Sequence, residues 1–411
     1  MRLGYDESGV PLIATPHPFT HDAIVVGAGP AGASLALRLA RAGRHVALLD
    51  GASFPRGKVC GEGVLPLGVA ALAELEVLEA VAPRGQAFGG VRYWLPDGTS
   101  AAGSFPDGLR GLGISRAILD AALVAAAERA RGVDLRLGAW VQDLERDARG
   151  VTVRIGGEAL RAPLVVGADG GRSRVRRAAG LEARAPRRER FGVGVHVDHP
   201  PRTDALPRVE VLLAPGAELY LTPLGPTTTG VAVLLERAAL LRLQGRLDDG
   251  VRDLLRAAGG PAVALAERPF LAKARALGPL GLGARAAHTE RVALVGDAAG
   301  ALDPISGEGI ALGLCSARLL AEELDGCFRR GDFSTEALAG WTRRRQALLR
   351  APKALTATLL YLARRPRRAR RAIQALAKRP ERFDRLLGVA AGATPVGAGV
   401  VGDGLRLALG F

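Results

Sequence analysis

The chain has 411 residues, 48% apolar and 24% charged, enough for a sizeable buried core spread over roughly two to three domains. Three cysteines, Cys60, Cys315 and Cys327, leave one unpaired in any scheme and lack zinc-ligand spacing, which argues against a disulfide framework or metal site and fits a reducing cytoplasm. The net charge of +15 is concentrated in residues 341–387, where fifteen Lys/Arg face only Glu381 and Asp384; no aromatic stacking platform interleaves them, so nucleic acid is not expected as a partner.

The opening stretch, "MRLGYDESGVPLIATPHPFT", has no basic region followed by an apolar run, so no signal peptide is expected. No later segment offers the ~18 uninterrupted apolar residues of a membrane span. Residues 23–50, "AIVVGAGPAGASLALRLARAGRHVALLD", read as strand, glycine turn, helix and second strand. In Gly27-Ala28-Gly29-Pro30-Ala31-Gly32 the first glycine permits a tight turn, the second lets backbone approach a pyrophosphate, and the third lets helix and strand pack closely. The pyrophosphate would sit on the helix N-terminus, and Asp50 can accept both ribose hydroxyls of an adenosine. This spacing specifies a dinucleotide without separating FAD from NAD.

About eight residues after the second strand comes "KVCGEGVLP" (58–66). Its small residues suit a tight loop against a ligand, and Cys60 and Glu62 are its chemistry-bearing side chains. Free cysteines are more often packed small hydrophobes, and no partner cysteine lies nearby for a disulfide shuttle. Residues 89–98, "GGVRYWLPDG", read as strand, and Arg116 opens a helix in "ISRAILDAALVAAA". A further apolar strand enters Asp169-Gly170 in "PLVVGADGGRSRVRRAAG" (163–180).

Residues 185–280 hold strand-like runs punctuated by Pro and Gly, the pattern of a mostly antiparallel sheet. His196 and His199 lie there as substrate hydrogen-bonders or as ordinary strand and turn residues. A third apolar strand enters Gly296-Asp297 in "RVALVGDAAGALDPISGEGIALGLCSARLLAEEL" (291–324), followed by a Pro/Gly-rich turn and a long helix. In the basic region, Pro366 and Pro380 should break the chain into short helices. That region reads either as a surface docking on anionic lipid or an acidic carrier protein, or as a solvated face.

The order and spacing of these three strand-turn motifs closely resemble flavoprotein monooxygenases of the para-hydroxybenzoate hydroxylase type and their geranylgeranyl reductase relatives. The resemblance covers nearly the whole chain. It implies an α/β fold: a Rossmann-like FAD-binding domain in three segments (21–85, 104–183, 288–330), an inserted, mostly antiparallel substrate domain (86–103, 184–287) and basic C-terminal helices (331–411). It implies FAD and NAD(P)H as cofactors and a small-molecule substrate. Asp297 would hold the ribityl hydroxyls, with Gly296 letting backbone come close. The helix opening near Gly307, Gly309 and Ile310 would aim its dipole at the flavin's pyrimidine edge. Asp169 and Gly170 would contact the pyrophosphate region and the nicotinamide, and Arg116 a phosphate. Cys60 and Glu62 would lie beside the isoalloxazine, Cys60 touching the flavin or poising a proton donor and Glu62 titrating in a buried setting; Tyr220 and Trp94 would wall the substrate pocket.

Two reactions follow from the resemblance. The first is oxygen insertion into a bulky apolar or aromatic metabolite through a flavin C4a-hydroperoxide. The alternative is saturation of C=C bonds in an isoprenoid substrate, which "KVCGEGVLP" and "GEGI" (307–310) support; "AELYLTPLG" (217–225) keeps Tyr220 and Pro223 of the reductases' substrate-sheet motif but not its Trp or Phe. Halogenases of this fold carry a WxWxIP run that is absent here, and a non-catalytic flavoprotein would have to retain all three motifs without use.

Overall fold

A computed structural model describes residues 19–184, 188–204 and 206–394; the opening 1–18 and the end of the basic region, 395–411, lie outside them. Ala23–Val26 is four buried apolar residues in a row, as expected of a strand covered on both faces. It pairs in parallel with Val46–Asp50 on one side and Val165–Gly167 on the other. Val133–Leu137 and Val292–Leu294 extend the two edges in parallel, and a short antiparallel strand, His288–Thr289, completes six. The strand order thus puts the first, second and third motif strands side by side, with their turns at the same C-terminal edge, where α/β sheets bind ligands. Helix Pro30–Arg41 starts with proline at its first turn, a position that needs no N–H.

The second sheet has seven strands, antiparallel except where Val209–Ala214 pairs in parallel with Gly90–Trp94. Of the 86–103 segment, Gln86–Phe88 joins a separate small sheet with Gly63–Val64 and Gly111–Gly113. Alternation along the strands divides the large sheet into two apolar faces. Val193, Val195, Leu219, Val231 and Val233 pack with Val251 and Leu255 of the helix Leu247–Ala258. Val211, Tyr220, Ala232 and Leu234 pack toward the C-terminal helices.

Those helices are not an appendage. Ala339–Ala363 docks on the first sheet through Trp341, fully buried, whose Nε1 donates to the Leu294 carbonyl at 3.1 Å. Pro366 and Pro380 each open a new helix, Pro366–Lys378 and Pro380–Ala390. Their buried Ala369, Ala372, Ile373, Leu376, Phe383 and Leu387 cover the large sheet. Among the described residues no helix is long and apolar enough to cross a membrane.

Candidate functional site

The three glycine turns touch one another. Gly27 has φ +105°, and the Cβ it lacks would lie 2.5 Å from the Ala168 carbonyl oxygen, so the first turn abuts the second. A Cβ on Gly296 would lie 2.9 Å from the Ala31 Cβ, so the third turn abuts the first helix. Arg176, buried, ties the second turn to the third: it donates to the carbonyls of Gly171, Asp297 (3.4 Å) and Ala298 (3.0 Å).

This convergence leaves open space where a pyrophosphate belongs. The nearest atom to a Cβ on Gly29 is Arg56 Nη2, 3.8 Å away. Asp50 accepts the Ala28 N–H on one oxygen and the Ala52 N–H on the other, both at 2.8 Å, and each oxygen retains acceptor capacity for a ribose hydroxyl. Asp169 Oδ2 accepts from the Arg174 and Val175 amides (2.6 and 3.3 Å), while its Oδ1 is buried without a partner; burial raises its pKa. Gly170, at φ +80°, makes the same turn. Arg56, Lys58, Arg116, Arg172, Arg174 and Arg345 line the cleft around this space. Burial, with Arg116 nearby, lowers the Lys58 pKa, and burial brings Arg345 down to about 10. An open helix N-terminus, a ribose-facing carboxylate, an orphaned acceptor and a ring of cations fit FAD's adenosine diphosphate half.

Arg116 is placed in this cleft but is less free than expected. Its guanidinium is held by Asp120 in a two-pronged pair (2.7 and 2.6 Å), and Ser115, one residue earlier, caps the helix. Arg56, which also reaches Asp120 at 3.2 Å, is the guanidinium beside Gly29.

The loop 60–63 lines the cavity next to the third turn. Glu62 is buried and has φ +58°, a left-handed conformation unusual for a side-chain-bearing residue. Three contacts hold it there. Its Oε1 accepts the Arg116 N–H (2.9 Å), its Oε2 lies 2.6 Å from His196 Nε2, and its carbonyl accepts the Ile114 N–H (2.9 Å). Thr222 pins the neighbouring Gly61 carbonyl at 2.7 Å. Cys60 is half-buried, its sulfur accepting the Glu62 N–H at 3.4 Å. Both carboxylate oxygens of Glu62 are therefore engaged in positioning the loop, with His196 as a partner, while Gly61 faces open space.

Beyond this loop the cavity, about 1180 Å³ in all, continues between the large sheet and the C-terminal helices as an apolar arm. Tyr220 lines it and donates to the Ile305 carbonyl at 2.9 Å. Trp94 does not: its indole N–H donates to Glu210 at 2.6 Å, and its ring packs in the cluster on the opposite face of the sheet. Consecutive strand residues point to opposite faces, so the wall belongs to Tyr93, half-buried, with its pKa raised by desolvation. Asp297, Gly307, Gly309 and Ile310 also line the cavity, and helix Gly309–Arg330 opens there. Glu308, between those glycines, is buried with Oε2 unpartnered, and desolvation pushes its pKa up to about 7.

Sequence reasoning missed Arg56, Lys58, Tyr93, Glu308 and Arg345. All sit within or beside stretches singled out above; Arg345 reaches the cleft from the basic region 341–387 and donates to the Gly300 carbonyl at 2.7 Å.

Residues 20–354 match the family model described as FAD binding domain. The chain is 34% identical over 334 residues to menaquinone reductase of Mycobacterium tuberculosis, covering 74% of this chain and 76% of that protein. It is 30% identical to rifampicin monooxygenase of Streptomyces venezuelae, covering 76% and 67%. The structure of a flavoprotein/dehydrogenase from Cytophaga hutchinsonii superposes with a TM-score of 0.78 at 20% identity, over 90% of this chain and 92% of that one, a likeness of fold. With its three turns converged on one dinucleotide cleft, the chain belongs to the FAD-binding-domain family, within the superfamily of aromatic-hydroxylase-type flavoprotein monooxygenases.

Proposed function

We propose that this FAD-dependent oxidoreductase uses NAD(P)H to saturate a carbon–carbon double bond in a long, apolar, isoprenoid-like substrate. Bound FAD supplies the two-electron chemistry. The protein's part is to position and to protonate. Arg56 and the amides after Gly29 would hold the diphosphate and Asp50 a ribose, and the Glu62-braced loop would wall the flavin's side of the cavity. The apolar arm, from Tyr93 and Tyr220 to Ile373 and Leu376, takes an extended hydrocarbon and excludes water.

The observation that carries the reading is Glu308, a buried carboxyl with an unpartnered oxygen, lining the cavity that becomes the apolar arm. Saturating a double bond consumes one proton at a substrate carbon, and a carboxyl with a pKa near the working pH is a suitable donor. The similarity to a menaquinone reductase over three quarters of the chain supports reduction over oxygen insertion.

Oxygen insertion into such a substrate is the second reading, favoured by similarity to a monooxygenase at comparable coverage. One experiment separates them: NAD(P)H oxidation with a polyprenyl quinone, with and without O2, followed by product mass. Turnover without O2 and a product that stays heavier by two hydrogens after the quinol has been reoxidised to the quinone are expected. Turnover that requires O2, with a product heavier by one oxygen, would establish the second reading.

A further inference from the structure

We propose that the arginine-rich outer face of helices Pro366–Lys378 and Pro380–Ala390 docks on an anionic bilayer surface, setting the mouth of the apolar arm against the lipid. This goes beyond the reaction and holds for either reaction.

Helix Pro366–Lys378 is divided lengthwise. Ala369, Ala372, Ile373 and Leu376, at helical spacing, are buried and line the cavity. Arg367, Arg371 and Lys378 repeat at four and then seven residues on the other side and are exposed. Only the helix's own thickness, roughly 10 Å, therefore separates the basic surface from the cavity.

Two features concentrate positive charge there. Arg364 and Arg365 are also exposed, while Arg370, exposed as well, is paired with the carboxylate of Asp97. Of the two acids on these helices, Asp384 is turned inward to accept the Ser104 N–H at 2.7 Å, which leaves Glu381 on the exposed surface. Guanidinium groups suit the phosphates of anionic headgroups, and a basic cluster of this size is attracted to an anionic leaflet.

The cavity reaches the surface beside this charge. Leu355 and Leu359 of the preceding helix line it and are half-exposed, and Ala354 lines it and is exposed. Leu386 and Ala390 of the last helix are half-exposed on the same cavity. An apolar rim next to a cationic surface matches the bilayer, in which headgroup charge overlies hydrocarbon, better than it matches an acidic protein.

The test is co-sedimentation of the FAD-loaded protein with vesicles of phosphatidylglycerol and phosphatidylcholine, or of phosphatidylcholine alone. Sedimentation with the anionic vesicles at low salt, its loss at high salt, and none with phosphatidylcholine are expected. The triple variant Arg367→Gln, Arg371→Gln, Lys378→Gln should lose partitioning on the order of a hundredfold, with FAD content and melting temperature unchanged. Glu381→Gln should strengthen it several-fold. Equal sedimentation with both vesicle types, or a triple variant that binds like the parent, would overturn the proposal. So would retention on immobilised polyglutamate with no vesicle binding, which would make an acidic protein the partner.

Discussion

His196 Nε2 lies 2.6 Å from Glu62 Oε2, joining a strand of the large sheet to the loop 60–63 that lines the cavity. The hydrogen bond to Glu62 raises the His196 pKa above its ordinary value. The stabilisation is therefore complete below the unfolded histidine's pKa and is lost as pH rises through the raised folded value. Melting temperature followed across pH should fall over that window, and Glu62→Gln should flatten the fall.

Glu62→Ala should cost more than Glu62→Gln. It leaves the Arg116 N–H without its acceptor at a buried helix start, a loss of about 1–3 kcal/mol. Chemical denaturation of the two variants checks this, and a difference under ~0.5 kcal/mol would mean that Glu62 does not brace the loop.

Gly27→Ala should yield protein without FAD, because its methyl would meet Ala168 backbone at 2.5 Å in a conformation that also disfavours side chains. Gly296→Ala, whose added methyl meets the methyl of Ala31, should retain FAD more weakly. Flavin released on denaturation, counted per chain, distinguishes the two.

Glu308 is protonated below about pH 7 and ionised above it. Acting as the acid, it predicts turnover that falls as pH rises past about 7, and Glu308→Gln should lower kcat by roughly 10²–10⁴-fold and abolish that limb. Stability supplies an independent readout. A carboxyl whose folded pKa is raised favours the native state at low pH and loses that advantage between the usual glutamate value and about 7. Above pH 7, Glu308→Gln should therefore gain up to about 3 kcal/mol over the parent.

What the sequence made legible was local. Each motif is an apolar strand running into glycines whose spacing encodes a turn, so the dinucleotide cleft followed from residues near one another in the chain. What remained hidden depended on packing. Tyr93 and Trp94 are equally good pocket walls until the sheet fixes which face meets the cavity. Glu308 lies inside a quoted motif, but its burial comes from the packed walls around it. In the basic region, arginines dominate the composition, and the apolar spacing of Ala369, Ala372, Ile373 and Leu376 under them identifies a cavity roof only once the sheet beneath is known.

The central claim is that the apolar arm opens onto the bound flavin and holds a long hydrocarbon there. Titrating the FAD-loaded protein with a polyprenyl quinone while recording the visible flavin spectrum tests this directly. A saturable spectral shift is predicted, and Ile373→Trp, which fills the arm, should weaken it at least tenfold without loss of FAD. A flavin spectrum indifferent to the lipid, or a shift unchanged in Ile373→Trp, would contradict it.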